Sequence, residues 1–328
     1  MPDQPSILKN MGKPLKVAVV GVGYLGKIHA KIYSAMENID LVAVVDTDYE
    51  AAQAVAESCQ CEARAEIGNL PDIIDAVSIV VPTSLHLEVA QCFLQKGVHT
   101  MLEKPIAPSV EESQKIIDLA KAHGAILQIG HLERFNAGVM KLAEMAQDPR
   151  FIEVHRLGKF VERATDVDVV TDLMIHDIDI VLSLVKSPLT TISATGCKVI
   201  TDHVDIANAR LEFENGAVAN VTASRVSRNQ FRRIRVFSQK RYLGLNFADQ
   251  QLEEVKPGDI PEGGKFPELV HRDIEVIAQL PLNAELSHFA DCIVSGNRPL
   301  VAGEDGLLAV EVAERVRKKI AESMSDSD

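Results

Sequence analysis

The chain has 328 residues, which is enough for two domains and a sizeable core. A hydrophobic content of 46% and a charged content of 25% are ordinary for a globular protein, and a net charge of −13 argues against nucleic acid or an acidic membrane surface as partner. No apolar run reaches the ~20 residues that span a bilayer, and the N-terminus lacks the apolar core of a signal peptide. We therefore expect a cytoplasmic protein.

The cysteines argue against a structural metal site. They are odd in number and scattered without metal-ligand spacing, at Cys59, Cys61, Cys92, Cys197 and Cys292. Reduced thiols are the natural interpretation in the cytoplasm, and we expect no bound metal.

The first predicted element is a strand that runs into a glycine-rich turn. The apolar run Val17–Val20 is followed by Gly21, Gly23 and Gly26 in the pattern G-x-G-x-x-G, and apolar residues then recur at helical spacing. In this pattern the glycines permit a tight turn, leave room for a pyrophosphate and let the helix pack closely on the strand. The free N–H groups of the helix face the phosphates. A second strand ends in Asp46, 20 residues past the last glycine, where an acid is expected on the adenosine ribose. NAD is therefore the predicted cofactor.

Strands and helices alternate from Leu15 onward, which predicts a doubly wound parallel sheet. Two further strands, Ala76–Val81 and Val98–Leu102, end in polar segments. In open parallel sheets ligands bind beyond the carboxyl ends of the strands. The residues that this rule places on the cofactor side are Pro82, Thr83, His86, Glu103 and Lys104.

The pattern changes beyond Gly130. After a helical stretch, long strands follow without intervening helices, and Asn215-Gly216 between two of them is a strong hairpin signal. This half predicts an α+β domain on a mostly antiparallel sheet. The predicted organisation is a flexible tail at 1–13, a nucleotide-binding domain at 14–130, a substrate and oligomerisation domain at 131–300 and a C-terminal helix at 301–328.

One face of the second sheet is predicted to be open. Along Ile206–Ser224 apolar and polar residues alternate, so that one face is apolar and the other polar. Such a polar face either meets water or pairs with a second subunit.

Two places could supply the group that accepts a proton while hydride leaves an alcohol carbon. Lys104 follows a sheet strand and could stabilise alkoxide character, although a surface lysine is equally compatible with that position. Further along, Asp172, His176 and Asp179 fall at i, i+4 and i+7 of an otherwise apolar helix. A polar stripe on such a helix faces a cavity or a partner, because unpaired buried polar groups cost about 1–3 kcal/mol each. The alternative is a helix cap plus an exposed histidine.

At these residues the chain resembles the glucose-fructose oxidoreductase and inositol dehydrogenase family, often called Gfo/Idh/MocA. The matching elements stand in family order, and the Glu103-Lys104-Pro105 element is the most specific of them. The resemblance implies a Rossmann domain with NAD(P) as hydride carrier, a final helix lying back on that domain and an open-faced sheet used in a homodimer or homotetramer. It also implies Lys104 between nicotinamide and substrate, and His176 with Asp172 as the acid/base pair. The implied cofactor contacts in the glycine motif are Gly21, Gly23, Tyr24, Leu25 and Gly26.

Two segments narrow the resemblance. Gly130–Asn136 and Thr165–Asp179 resemble the members that oxidise the 3-hydroxyl of UDP-N-acetylglucosamine. An acidic chain also concentrates five arginines between Arg225 and Arg235, and guanidinium groups suit a diphosphate. Strand alternation means that they cannot all point one way, so a solvated or subunit-contacting strand is the alternative. The predicted substrate contacts, some of them lining a cleft between domains, are Lys104, Glu133, Arg134, Asn136, Arg163, Asp172, His176, Arg225 and Arg228.

The sequence thus predicts an NAD-dependent oxidoreductase of a nucleotide sugar, with UDP-N-acetylglucosamine as the preferred substrate. A free sugar, polyol or inositol dehydrogenase is the alternative within the same class. A non-catalytic NAD-binding sensor is the alternative outside it.

Overall fold

The computed structural model describes residues 13–161 and 167–325. These residues divide into two compact units: the chain up to Leu132 with Leu282–Val310, and Glu133–Pro281 with the residues from Glu311 on. The predicted tail at 1–13 lies outside the described residues except for Lys13. In the described part of the chain no helix is long and apolar enough to cross a membrane.

The first unit contains a six-stranded parallel sheet, as predicted. Its strands are β1 Leu15–Val20, β2 Ile39–Val45, β3 Glu62–Arg64, β4 Ala76–Ile79, β5 His99–Glu103 and β6 Leu127–Gly130. The sheet order is β3-β2-β1-β4-β5-β6, and every neighbouring pair is parallel. The order reverses between β1 and β4, which is the point where such sheets bind ligands.

Four helices connect these strands. They are α1 Tyr24–Ser34, α2 Tyr49–Cys59, α3 His86–Leu94 and α4 Val110–Ala122. The predicted cap of α4 is present, because the Ser109 hydroxyl accepts a hydrogen bond from the Glu112 backbone N–H at 3.2 Å. β1, β2 and β4 are mostly apolar and buried, which is expected of strands covered by helices on both faces.

The second unit is built on an eight-stranded sheet that is antiparallel except for one pair. The elements are α5 Ala137–Met145, β7 Phe151–Leu157, α6 Ile175–Val185, β8 Leu189–Cys197, β9 Ile206–Phe213, β10 Val218–Ser224, β11 Phe231–Ser238, β12 Arg241–Asn246, β13 Gln251–Pro257 and β14 Leu269–Ile274. The order is β14-β13-β12-β11-β7-β10-β9-β8, and β7 and β10 are the parallel pair. The predicted α+β class is confirmed, and the hairpin at Asn215-Gly216 joins β9 to β10 with Gly216 at φ +81°.

Three strands were not predicted from the sequence. β3 has only three residues, which is too short for a periodic signal. β13 and β14 carry charged residues and lie at the edge of the second sheet. β14 is exposed over most of its length, so its sequence has little of the apolar alternation by which a strand is recognised.

The predicted two-faced character of the second sheet is present. Alternate residues of β7, β9 and β11, and of β10 up to Ala223, are buried in the core of the unit, while the residues between them are partly or fully exposed. On the polar face Asn208 donates to the Thr222 hydroxyl at 2.9 Å, and Arg210 pairs with Glu212 at 2.8 Å. The use of this face in a homodimer or homotetramer stays a prediction.

Two C-terminal helices complete the chain, α7 Pro281–Ser295 and α8 Gly303–Ser325. The predicted boundaries assign α7 to the second domain, whereas the structure buries its apolar residues Leu286, Phe289, Ala290 and Ile293 in the core of the first unit. The periodicity of α7 shows an apolar face without showing which core receives it. The first turns of α8, through Val310, also belong to the first unit, and the rest belongs to the second.

Candidate active site

The glycine loop between β1 and α1 is shaped for a phosphate ligand. Gly21 has φ +89°, and a Cβ there would lie 2.5 Å from the Val80 carbonyl oxygen. A Cβ on Gly26 would lie 1.9 Å from the Gly21 carbonyl oxygen, whereas one on Gly23 would meet open space. Gly23 is the N-cap of α1 and supplies no side-chain oxygen, so the first N–H groups of the helix remain available to an anion. The following side chains, Tyr24 and Leu25, are exposed.

Asp46 lies beside this loop at the end of β2. One carboxylate oxygen accepts from the Val22 backbone N–H at 2.8 Å, and the other accepts from the Asp48 backbone N–H at 3.0 Å. A carboxylate has about four acceptor positions, so two remain for the hydroxyls of a ribose. The open glycine loop, the uncapped helix and this acid together fit a dinucleotide.

The segment after β4 was predicted to contact the cofactor, and the structure divides its residues. Pro82 and Thr83 begin a short turn of 3₁₀ helix and are not buried. His86 is 1% exposed, with Nδ1 at 3.0 Å from the Pro105 carbonyl oxygen and Nε2 at 3.0 Å from the Val81 carbonyl oxygen. Burial lowers the pKa of His86. Its ring connects two loops, which argues against the predicted contact with the cofactor.

Lys104 is half-buried and follows a strand end that a polar cluster holds in place. The Glu103 carboxylate accepts from the Lys104 backbone N–H at 3.2 Å and lies 3.2 Å from Nε2 of His29 on α1. Nδ1 of His29 lies 2.8 Å from the hydroxyl of Ser78 on β4. We call Ser78, His29, Glu103, Tyr33 and Glu285 the lysine-side cluster.

The last two members of this cluster are completely buried. Tyr33 and Glu285 are both 0% exposed. Burial, together with the charge of Glu103, raises the pKa of Glu285 well above its ordinary value. No hydrogen-bond partner among the described residues reaches either carboxyl oxygen of Glu285. Burial therefore favours the protonated, neutral form of Glu285.

In the second unit the predicted helix from Asp172 to Val185 is not continuous. Val170–Met174 forms a π-helical turn that contains Asp172, and α6 begins only at Ile175. Asp168 begins the turn, because its carboxylate accepts from the backbone N–H groups of Val170 and Thr171, each at 2.9 Å. Asp172 and His176 are half-buried. The structure therefore places these two predicted catalytic groups on one short stretch, although with π rather than α spacing at Asp172.

Asp179, the third member of the predicted stripe, is 3% exposed and pairs with Arg134 at 3.2 Å. Asn136 was predicted to contact the substrate, but it is the N-cap of α5: its side-chain oxygen accepts from the Gly138 N–H at 3.0 Å and its amide donates to the Phe247 carbonyl at 3.2 Å. With both ends of its amide engaged and 4% of it exposed, Asn136 holds α5 in place. Its predicted contact with substrate loses support.

A second buried cluster joins α6 to β7. Arg156 on β7 is 4% exposed and donates to both oxygens of Asp177, at 2.9 and 2.7 Å, and to Glu133 at 2.9 Å. Burial opposes the charge on Arg156, but the two carboxylates outweigh it and raise its pKa. Arg232 lies 3.8 Å from Glu133. We call Glu133, Arg156, Asp177 and Arg232 the histidine-side cluster, because Asp177 follows His176 in the chain.

Sequence reasoning missed Arg156 and Asp177. A signal existed, since Ile152, Val154 and Arg156 occupy the same face of β7, where a charged residue stands at a position that should be apolar. A charge at such a position requires a buried partner, and Asp177 is the partner that the fold supplies.

The arginines between Arg225 and Arg235 do not form one cationic surface. Arg225 is buried, with Nε donating to Asp205 at 3.0 Å and a terminal N–H donating to the Val167 carbonyl at 2.6 Å. Arg233 pairs with Glu253 at 2.5 Å and Arg235 pairs with Glu153, both on the polar face of the sheet. Arg228 is exposed in the loop after β10. Arg163 lies outside the described residues.

No metal centre is formed among residues 13–161 and 167–325: no three side chains of the ligating types (His, Cys, Asp and Glu) come together there to hold an ion. The groups that the structure does bring together are the glycine loop with Asp46, and Glu103 with Lys104, in the first unit. In the second unit it brings together Asp172 with His176, and the charged cluster behind them.

Comparison with known proteins accounts for both halves of this arrangement. Residues 15–131 match the Gfo/Idh/MocA oxidoreductase family model with its NAD-binding Rossmann fold, and residues 138–243 match the family's C-terminal domain. UDP-N-acetylglucosamine 3-dehydrogenase of Acidithiobacillus ferrooxidans is 35% identical over 304 residues, covering 92% of this chain and 96% of that protein. Its solved structure, GnnA, superposes with a TM-score of 0.88 over 94% of this chain and 98% of that one, at 34% identity. The NAD(+)-dependent scyllo-inositol 2-dehydrogenase of Bacillus subtilis is 28% identical, covering 92% of this chain and 93% of that protein. The chain belongs to the Gfo/Idh/MocA family of NAD-binding oxidoreductases.

Proposed function

We propose that this NAD-dependent sugar dehydrogenase oxidises the 3-hydroxyl of UDP-N-acetylglucosamine to the 3-keto sugar. The observation that carries the proposal is the 35% identity, over 92% of the chain, to an enzyme with that name. Inositol dehydrogenases also match over most of the chain, but at lower identity, 28% and 27%. Oxidation of a free polyol or inositol is therefore the second candidate.

The reaction requires that one group accept the hydroxyl proton and that another stabilise the developing charge on oxygen. We assign the proton to the His176 imidazole, with Asp172 one turn before it as the group that orients the ring. Lys104 donates a hydrogen bond to the reacting oxygen. When bound, NAD⁺ supplies the hydride acceptor, and the glycine loop, the N-terminus of α1 and Asp46 are the residues that would hold it.

Charge in the second unit supports an anionic substrate. Arg232 lies on the face of β11 that carries the buried Ile234 and Val236, and its nearest carboxylate among the described residues, Glu133 at 3.8 Å, already accepts from Arg156. Burial and the neighbouring charge of Arg156 lower the pKa of Arg232, so this cation is under-compensated. A diphosphate would supply the missing negative charge. Arg232 was not among the predicted substrate contacts; of those, the exposed Arg228 is a further candidate for the diphosphate.

The test offers the purified enzyme NAD⁺ with UDP-N-acetylglucosamine, N-acetylglucosamine or myo-inositol and follows NADH formation. An aminotransferase in the assay draws off the keto product, which otherwise limits the reaction. Of the three compounds, we expect only UDP-N-acetylglucosamine to be turned over. Preference for either unphosphorylated compound would reject UDP-N-acetylglucosamine as the substrate and would leave the assignment as a dehydrogenase unchanged.

The same assay tests the cofactor. The carboxylates of Asp46 and Asp48 would repel the 2′-phosphate of NADP, and no arginine follows Asp46 directly to receive it. We expect a kcat/KM for NAD⁺ at least about tenfold above that for NADP⁺. Equal use of both cofactors would contradict this role of Asp46.

A further inference from the structure

His29 occupies an unusual position for a residue of a cofactor-binding helix. It lies on α1, the helix that begins at the glycine loop, and it is 0% exposed. One ring nitrogen faces the Ser78 hydroxyl at 2.8 Å and the other faces the Glu103 carboxylate at 3.2 Å. Its side chain thus contacts both the strand β4 and the end of β5.

The hydrogen-bonding pattern favours a single tautomer of the ring. A carboxylate accepts only, so a proton on Nε2 is attracted to the Glu103 carboxylate 3.2 Å away, although the contact lacks the alignment of a hydrogen bond. Nδ1 then has a lone pair that accepts from the Ser78 hydroxyl. With the proton on Nε2, the ring meets the Ser78 hydroxyl as an acceptor and presents its N–H to the side of the Glu103 carboxylate. Ser78 is fully buried, so this serine–histidine–acid row cannot act as a nucleophilic triad.

The Glu103 carboxylate is confined on its other sides as well. It accepts from the Lys104 backbone N–H at 3.2 Å. Gly130, its register partner on β6, leaves the space that the carboxylate occupies, because a Cβ there would lie 2.8 Å from Oε2. The position of the Glu103 carboxylate therefore constrains the backbone N–H of Lys104. His29 on α1 is the side chain that contacts this carboxylate.

We propose that His29 is a positioning residue for Lys104, acting through the Glu103 carboxylate. The proposal rests on the proposed function only in taking Lys104 as the lysine of the reaction. His29 lies on the helix that begins at the glycine loop. The helix whose N-terminus would bind the phosphates would therefore also position Lys104. No part of this arrangement requires His29 to touch substrate or cofactor.

Three substitutions separate positioning from mere packing. The amide nitrogen of His29→Gln reaches the place of Nε2 and can donate to Glu103, whereas the amide of His29→Asn ends near the place of Nδ1. His29→Leu removes both contacts. Ser78→Ala is the matched control, because it removes the partner of Nδ1 and leaves the contact between Nε2 and Glu103.

The experiment measures lysine reactivity in the NAD⁺-saturated protein. Amine acylation followed by peptide mass spectrometry gives the labelling rate of Lys104 relative to the exposed Lys31. Loss of the contact with Glu103 should free the backbone at Lys104 and make its amine more accessible. We expect this to raise the labelling ratio at least about threefold in His29→Asn and His29→Leu. We expect His29→Gln and Ser78→Ala to stay within about twofold of the wild type. If His29→Leu does not fold, the Asn and Gln variants still differ only in reach.

Steady-state kinetics provide the second measurement. We expect kcat to fall about tenfold in His29→Asn and to recover in His29→Gln, with KM for NAD⁺ within about twofold throughout. An equal labelling ratio in all variants would overturn the proposal. That result is read without any sugar, so it is distinct from a failure of the wild type to oxidise UDP-N-acetylglucosamine, which would reject the proposed function instead.

Discussion

The lysine-side and histidine-side clusters are built on opposite electrostatic principles. In the histidine-side cluster the buried ions are paired, since Arg156 donates to Asp177 and Glu133 at 2.7 to 2.9 Å. In the lysine-side cluster His29 lies between the Ser78 hydroxyl and the Glu103 carboxylate, and Glu285 has no hydrogen-bond partner among the described residues. Each cluster contains the chain neighbour of a residue to which we assign chemistry: Glu103 precedes Lys104, and Asp177 follows His176.

The difference shows two ways to keep polar groups inside a protein. A buried charge stays charged only when its partners replace the lost hydration, as the two carboxylates do for Arg156. A buried acid without such partners has its pKa raised instead, as burial and the nearby Glu103 charge do for Glu285. The histidine-side cluster should therefore be sensitive to loss of one partner, and the lysine-side cluster to pH.

The largest expected effect comes from the residues that the clusters support. Lys104→Ala and His176→Ala should each lower kcat by roughly 10²–10⁴-fold, because each removes a group that stabilises the transition state. NADH affinity, measured by fluorescence titration, should stay nearly unchanged. Near-normal kcat in His176→Ala would move the base to Asp172, Asp179 or Lys104.

The next effect concerns the paired ions. Arg156→Met should destabilise the fold by about 3–5 kcal/mol, because it leaves the carboxylate of Asp177 buried and uncompensated. The double variant Arg156→Met/Asp177→Leu should recover most of this loss, as followed by urea denaturation. The exposed pair Lys115–Glu111 is the control, and its removal should have a much smaller effect. Equal losses in the single and double variants would show that shape, not charge, stabilises the site.

Arg232 tests whether the histidine-side cluster leaves one cation for the substrate. Arg232→Met should raise KM for UDP-N-acetylglucosamine about tenfold, because a charged hydrogen bond contributes about 1.5–3 kcal/mol. Arg233→Met is the control, since Arg233 lies on the opposite face and pairs with Glu253. Matching changes in both variants would remove Arg232 from the substrate site.

The smallest effect should be a gain in stability at Glu285. Its folded-state pKa is raised, so the stability it contributes is fully present below its unfolded pKa of about 4.3 and is lost as the pH rises toward the folded-state value. Glu285→Leu should therefore raise the urea midpoint more at pH 8 than at pH 5. Glu57→Leu, at an exposed position, is the control for the substitution itself. A constant difference between the two pH values would mean that Glu285 is ionised in the folded protein.

Much of the fold could be predicted because its signals are local. The glycine pattern, the spacing to Asp46 and the buried strands that follow each depend on residues close together in the chain, and the parallel sheet of the first unit confirms them. The hairpin at Asn215-Gly216 was predictable for the same reason, because a turn depends on a few adjacent residues. The Glu103-Lys104-Pro105 element marked the end of β5.

What only the tertiary structure decided is how each polar side chain is used. His86, Asn136 and Arg225 have the residue types of a binding site, yet the fold buries them against backbone carbonyls, a helix N-terminus and Asp205. Conversely, Arg156 and Asp177 are 21 residues apart and meet across a helix and a strand, which no local pattern records. The sequence by itself determined the elements and the cofactor class, since backbone propensity and periodicity act over a few residues. Partner choice for a buried charge depends on which groups the packed elements bring within 3 Å, and packing alone sets that distance.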